Sequence, residues 1–184
     1  ELALALYDTG NYDAIYLARL IADDDRMTKR DPQRWSPRPM VGLLLLYGSG
    51  AVAGGKHGWD IALKWIETKK ALEASAGWTT FSRLVALEED NDLNLPVLKQ
   101  LLTPVGKTIH EVLDAVRCAM NNFIISVGGY VTSLTAQAMK SGEKVGKVVA
   151  DLGKNACKIS YAPDYSKKSE SRGNLGEKGK TVKC

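Results

Sequence analysis

Apolar residues recur at three- and four-residue steps along most of this chain, and that spacing limits what it can fold into. It is seen in Ala14, Ile15, Leu17, Ala18 and Ile21, in Trp59, Ala62, Leu63 and Ile66, and in Val116, Ala119, Met120, Phe123, Ile124 and Val127. Such steps line up on one side of a 3.6-residue helix. Runs of alternating apolar and polar residues, which a half-buried strand would need, are missing, so the chain is predicted to be all-α. Stop signals are spaced for helices of ten to eighteen residues: Asp23-Asp24-Asp25, Asp90-Asn91-Asp92, Gly128-Gly129, and Gly142 or Gly146. Asn94 ahead of Leu95-Pro96 offers a side-chain cap followed by a proline in the first turn.

A length of 184 residues, 45% of them hydrophobic, suffices for one core or a short stack of repeats. Laid on itself at an offset of about 43, Leu72 to Leu87 falls over Ala115 to Tyr130, bringing Ala76 onto Ala119, Phe81 onto Ile124 and Leu84 onto Val127. Helical-pair repeats of HEAT or armadillo type have periods of ~40–47 residues. Val116-Arg117-x-Ala119, followed by Ile124 and Val127-Gly128, has the pattern of the second helix of such a pair. An α-α superhelix is therefore expected over residues 1–153, each pair burying its apolar face on its neighbours.

Two segments break the pattern. Residues 36–56 carry two prolines, then a charge-free stretch from Pro39 to Gly55 with five glycines. That stretch is short of the ~20 apolar residues of a membrane span, and the segment reads as altered relative to its surroundings. Residues 154–184 lose helical periodicity and read as a loop-like basic tail. They hold eight basic residues against three acidic ones, whereas residues 1–153 hold 17 against 18. A basic end on a neutral body suits a polyanion. Three scattered cysteines (Cys118, Cys157, Cys184) without a CxxC argue against a disulfide framework and place the chain in a reducing, cytoplasmic setting. His57 and His110 lack metal-ligand spacing, so no metal or other cofactor is expected. Glu1 to Tyr7 reads as helix interior without the marks of a signal peptide, so further chain is expected ahead of it.

Ala14-Ile15-Tyr16-Leu17-Ala18-Arg19-Leu20-Ile21-Ala22-Asp23, with Met27-Thr28-Lys29 and Gln33-Arg34-Trp35, resembles the DNA alkylation repair enzyme family of HEAT-like-repeat alkylpurine DNA glycosylases. Similarity resumes at Gly58-Trp59-Asp60-Ile61-Ala62-Leu63-Lys64-Trp65-Ile66. It continues through Ala76-Gly77-Trp78, Val116-Arg117, Ala119-Met120-Asn121 and Val127-Gly128 to Ala156-Cys157-Lys158 and Ala162-Pro163-Asp164-Tyr165. The resemblance implies a superhelix whose basic concave face cradles duplex DNA, with N-terminal helices of the family missing here. It also implies hydrolysis of the glycosidic bond to N3- or N7-alkylated purines.

That chemistry uses a carboxylate to stabilise the oxocarbenium-like sugar, indole faces against the cationic nucleotide, and an arginine on backbone phosphate. The positions implied for them do not carry these groups. Residues 36–56 contain no Asp, Glu or Trp, the arginine position falls on Ser75, and the second indole falls at Asn121-Asn122. Base excision is therefore expected to be slight or absent, with Trp59 and Asp60, the adjacent indole and carboxylate, as the substitute catalytic candidates. Arg117, Lys154, Lys158, Lys167, Lys168, Lys178 and Lys180 are the candidate DNA contacts. The alternative is a non-catalytic helical-repeat scaffold that binds protein or structured nucleic acid.

Overall fold

A computed structural model of the chain describes residues 1–23, 53, 55–151 and 158–181. The helices are α1 (Leu2–Asp8), α2 (Tyr12–Ile21), α3 (Gly58–Ile66), α4 (Ala71–Leu87), α5 (Leu95–Thr108), α6 (Asp114–Tyr130), α7 (Thr135–Val145) and α8 (Ala162–Ser171), with a 3-10 turn at Thr132–Leu134. No strand occurs among the described residues. Met27-Thr28-Lys29, Gln33-Arg34-Trp35, all of the altered segment except Ala53, Gly55 and Lys56, Lys154, Cys157 and Cys184 lie outside the described residues.

The described residues fall into two compact units, Glu1–Leu84 with Lys180 and Thr181, and Val85–Gly179. The division of the sequence at 153/154 is one of charge; the compact units divide after Leu84. In the first unit, α1 and α2 close on Tyr7, Ile15, Ala18 and Ala22. Trp65 and Ala76 form a further cluster with Ile61 and Leu72. The approach of α3 to α4 depends on Gly77, where a Cβ would stand 2.8 Å from Ile66 Cγ2 and 3.0 Å from Ala62 O. Helix α4 is buried on most of its circumference, and three of its hydroxyls are satisfied within the helix: Thr79 Oγ1 donates to Ser75 O, Thr80 Oγ1 to Ala76 O and Ser82 Oγ to Trp78 O.

The second unit shows why its sequence folds as it does. Asn94 Oδ1 accepts from Val97 N at 3.3 Å, the expected cap at the start of α5. One side of α5 buries Leu98, Leu102 and Val105, and each such large side chain removed from water contributes ~1.5–3 kcal/mol. Helix α7 packs on α5, α6 and α8. Gly128-Gly129 does not stop α6, which runs on to Tyr130; of the two stops expected for the later helix, Gly146 is the C-cap of α7 with φ +71°, whereas Gly142 lies inside it. Gly128 and Gly142 permit close packing. A Cβ on Gly128 would meet Ser166 Oγ at 2.6 Å, and one on Gly142 would meet Pro163 Cδ at 2.9 Å, so α8 can seat against both helices.

The described part of the tail is not loop-like throughout, contrary to what its composition suggested. Residues 162–171 are helical, starting with a proline in the first turn, and Ala162, Pro163 and Ser166 are buried. Beyond α8, residues 176–179 form a strap: Gly176 N donates to Gly129 O at 2.8 Å and Gly179 N to Ala86 O at 2.7 Å. Ala86 and Gly129 are equivalent under the 43-residue offset, so one segment satisfies the same orphan carbonyl near the ends of both α4 and α6. Gly176 has φ +82°, and a Cβ there would stand 2.6 Å from Thr132 Cγ2, so both the left-handed backbone and the close approach require glycine.

Candidate nucleic-acid interface

Arg117, on the first turn of α6, is committed to the protein's own backbone. Its Nε donates to Ile109 O at 3.2 Å, Nη2 to Val112 O at 2.8 Å, and Nη1 to Val149 O and Asp114 Oδ1 at 2.8 and 2.7 Å. Asp114 Oδ2 in turn accepts from Asp151 N at 2.9 Å. The guanidinium thus binds the α5–α6 turn to the segment after α7, and its donors are taken up there instead of by phosphate. Lys178 is likewise engaged: its amine donates to Val85 O at 3.0 Å and pairs with Asp90 Oδ1 at 2.9 Å, with only 10% of the side chain exposed. Both side chains therefore spend their donors within the fold. A cation placed over carbonyls at a helix C-terminus neutralises partial negative charge, and moving it to phosphate would leave those carbonyls bare.

The remaining described candidates differ. Lys158, Lys167, Lys168 and Lys180 are exposed, with Lys167 and Lys168 on the outer side of α8 next to Arg172. Among the exposed lysines outside the candidate set, five lie on or next to two helices of the second unit: Lys99 and Lys107 on α5, Lys140 and Lys144 on α7, and Lys147 just beyond it. Their signal is present in the sequence as an acid-free helix 95–108 and a Lys-x3-Lys step, but the larger charge excess after residue 153 hides it.

Trp59 and Asp60 sit in the first turn of α3. The Trp59 ring lies edge-on to Phe81, centroids 5.2 Å apart, and fills space between helices, while Asp60 is exposed near the positive end of the helix. At the implied arginine position, Ser75 is buried. At the implied indole position, Asn121 is buried and its Nδ2 donates to Ser160 O at 3.0 Å, fixing the start of the C-terminal segment. His110 Nε2 donates to Val145 O at 2.8 Å. Cys118 is half-buried, and burial, with the nearby Asp114 carboxylate, pushes its thiol above the ordinary value against the opposing Arg117 charge. Among the described residues no cluster of His, Cys, Asp and Glu could hold a metal ion, and no helix is long and apolar enough to cross a membrane.

Comparison with solved structures aligns the whole chain, at a TM-score of 0.90 and 32% identity, with 78% of a protein described as one of a new family related to the HEAT-like repeat DNA glycosylases, with affinity for branched DNA structures. The chain belongs to that family. Its all-α architecture is accordingly of the HEAT-like repeat kind. Two further relatives agree in extent: the uncharacterised protein Lin0241 of Listeria innocua is 31% identical over 95% of this chain and 75% of its own length. The Listeria monocytogenes protein Lmo0209 is 31% identical over 94% of this chain and 75% of its own. No family model matches the sequence.

Proposed function

We propose that this chain binds DNA through the sugar-phosphate backbone, prefers branched to linear duplex DNA, and does not excise alkylated bases. The observation that carries the reading is the likeness, over all of this chain and 78% of the other protein, to a family member with affinity for branched DNA. Exposed amines on helices suit that task, because lysines on long stems follow phosphates without reading bases. The absence of excision rests on residue types: serine and asparagine stand where the resemblance puts an arginine and an indole, and Trp59 is occupied with Phe81. Losing one preorganised group of this kind costs ~10²–10³ in rate, and such groups act jointly on one developing charge. A role in alkylation repair, if retained, is then recognition of damaged or repair-intermediate DNA in the cytoplasm.

The test is titration of the full chain with a linear duplex and a four-way junction of equal length at several salt concentrations, read by fluorescence anisotropy. The expected result is tighter junction binding and a steep loss of affinity with salt, about 0.9 in log-log slope per phosphate neutralised. No binding to either DNA sinks the reading and favours a protein-binding scaffold. A parallel single-turnover assay on alkylated duplex should release N7-methylguanine and N3-methyladenine at the protein-free rate. Release well above it, abolished in Asp60→Asn, would restore the glycosylase. Truncation after residue 153 is unsuitable for mapping, since it removes α8 and the strap that caps α4 and α6.

A further inference from the structure

Helices α5 and α7 lie side by side and run parallel. Gln137 Nε2 donates to Lys99 O at 3.2 Å, and further along both helices Lys144 Cδ lies 3.9 Å from the place of a Cβ on Gly106. This register puts Lys99 and Lys107 of α5 beside Lys140, Lys144 and Lys147. All five are exposed. Among the described residues none of their amines is in an ion pair, in contrast to the pairs Lys70–Glu73, Arg117–Asp114 and Lys178–Asp90. Helix α5 carries no acidic residue and α7 carries one, Glu143. Five unneutralised cations against one carboxylate is a field that calls for an external polyanion.

A second basic surface lies across α7. At 100° per residue, Lys140 and Lys144 fall about 160° around α7 from Gly142, the residue that α8 covers through Ala162 and Pro163. The exposed Lys167 and Lys168 of α8, and Arg172 at its C-cap, therefore sit on the opposite side of α7 from the α5/α7 lysines. None of the large exposed apolar side chains is on α5 or α7. A protein partner would want an apolar anchor at the centre of its interface, and a nucleic-acid backbone would not.

We propose that the Lys99, Lys107, Lys140, Lys144 and Lys147 face holds the phosphates of one duplex arm while the α8 cations hold a second arm, so that preference for branched DNA arises from two-surface binding. This rests on the DNA-binding reading above and adds the source of the preference. A linear duplex can occupy one surface at a time. Diverging arms can occupy both, and the second binding event is then intramolecular.

The test compares the full wild-type chain with two sets of charge-removing changes, Lys99→Gln, Lys107→Gln, Lys140→Gln, Lys144→Gln and Lys147→Gln together, and Lys167→Gln, Lys168→Gln and Arg172→Gln together. Each is titrated with the linear duplex and the four-way junction. The expected junction-to-duplex affinity ratio is about tenfold or more for wild type and close to one for either set. The junction salt slope should also be shallower by about 0.9 for each phosphate that the variant no longer neutralises. A ratio unchanged in the α5/α7 set, or a wild-type ratio already near one, overturns two-surface binding while DNA binding itself stands. Failure of the wild type to bind either DNA overturns both.

Discussion

Helices α4 and α6 are both 17 residues long and sit 43 residues apart in the chain, yet they hold their neighbours by different means. Shared positions are buried alike: Ala76 and Ala119, Phe81 and Ile124, Leu84 and Val127. Where they differ, each difference matches a local interaction. Gly77 of α4 admits Ile66 and the α3 backbone, whereas its counterpart Met120 fills its site with side chain. Ala74 of α4 is simply buried, whereas its counterpart Arg117 ties a turn to a distant segment. A repeat thus needs only its buried pattern to set helix position. The intervening residues decide what each copy can carry.

The comparison breaks most readily at Arg117. Arg117→Ala should cost about 3 kcal/mol in urea unfolding, because several charge-assisted bonds to carbonyls disappear together, and Arg117→Lys should recover little of it since an ammonium cannot span the fork. Full stability with weakened DNA binding would instead make Arg117 a phosphate ligand. A smaller effect, about 1–3 kcal/mol, is expected for Gly77→Ala, which forces apart α3 and α4 where a Cβ would stand 2.8 Å from Ile66. An unchanged midpoint would mean the two helices have room that the geometry denies them.

The smallest effect sharpens the pair Ser75 and Cys118, again equivalent positions. With its thiol pushed above the ordinary value by burial, Cys118 should be alkylated by iodoacetamide several-fold more slowly than a free cysteine at pH 8, read peptide by peptide by mass spectrometry. The folded state holds the proton, so its contribution to stability is complete below the ordinary thiol value and fades as pH rises through the folded one. Labelling as fast as in unfolded protein would contradict the burial.

Much of this fold was legible in spacing alone. The three apolar runs became α2, α3 and α6, Asn94 became the cap of α5, and the 43-residue offset became two helices of equal length. Local periodicity encodes these because a helix buries whatever recurs every 3.6 residues, wherever the rest of the chain goes. The candidate interface was less legible. Counting charge along the sequence pointed to the tail, yet Lys178 is spent on Asp90 and on an α4 carbonyl, while Lys99, Lys107, Lys140 and Lys144 gather only because α5 and α7 run parallel.

The sequence by itself determined the helical character of the chain ahead of the tail, the Asn94 cap and the repeat that relates two helices, since each depends on neighbours within a few residues or on a pattern copied along the chain. Tertiary structure alone decided that Gly128 and Gly142 are seats for α8 and not stops, that residues 176–179 cap α4 and α6, and which cations remain exposed and unpaired. Those outcomes turn on partners as far as 93 residues away, as in Lys178 and Val85. A side chain's charge is written in the sequence, but whether it is free to meet a ligand depends on what folding has placed beside it.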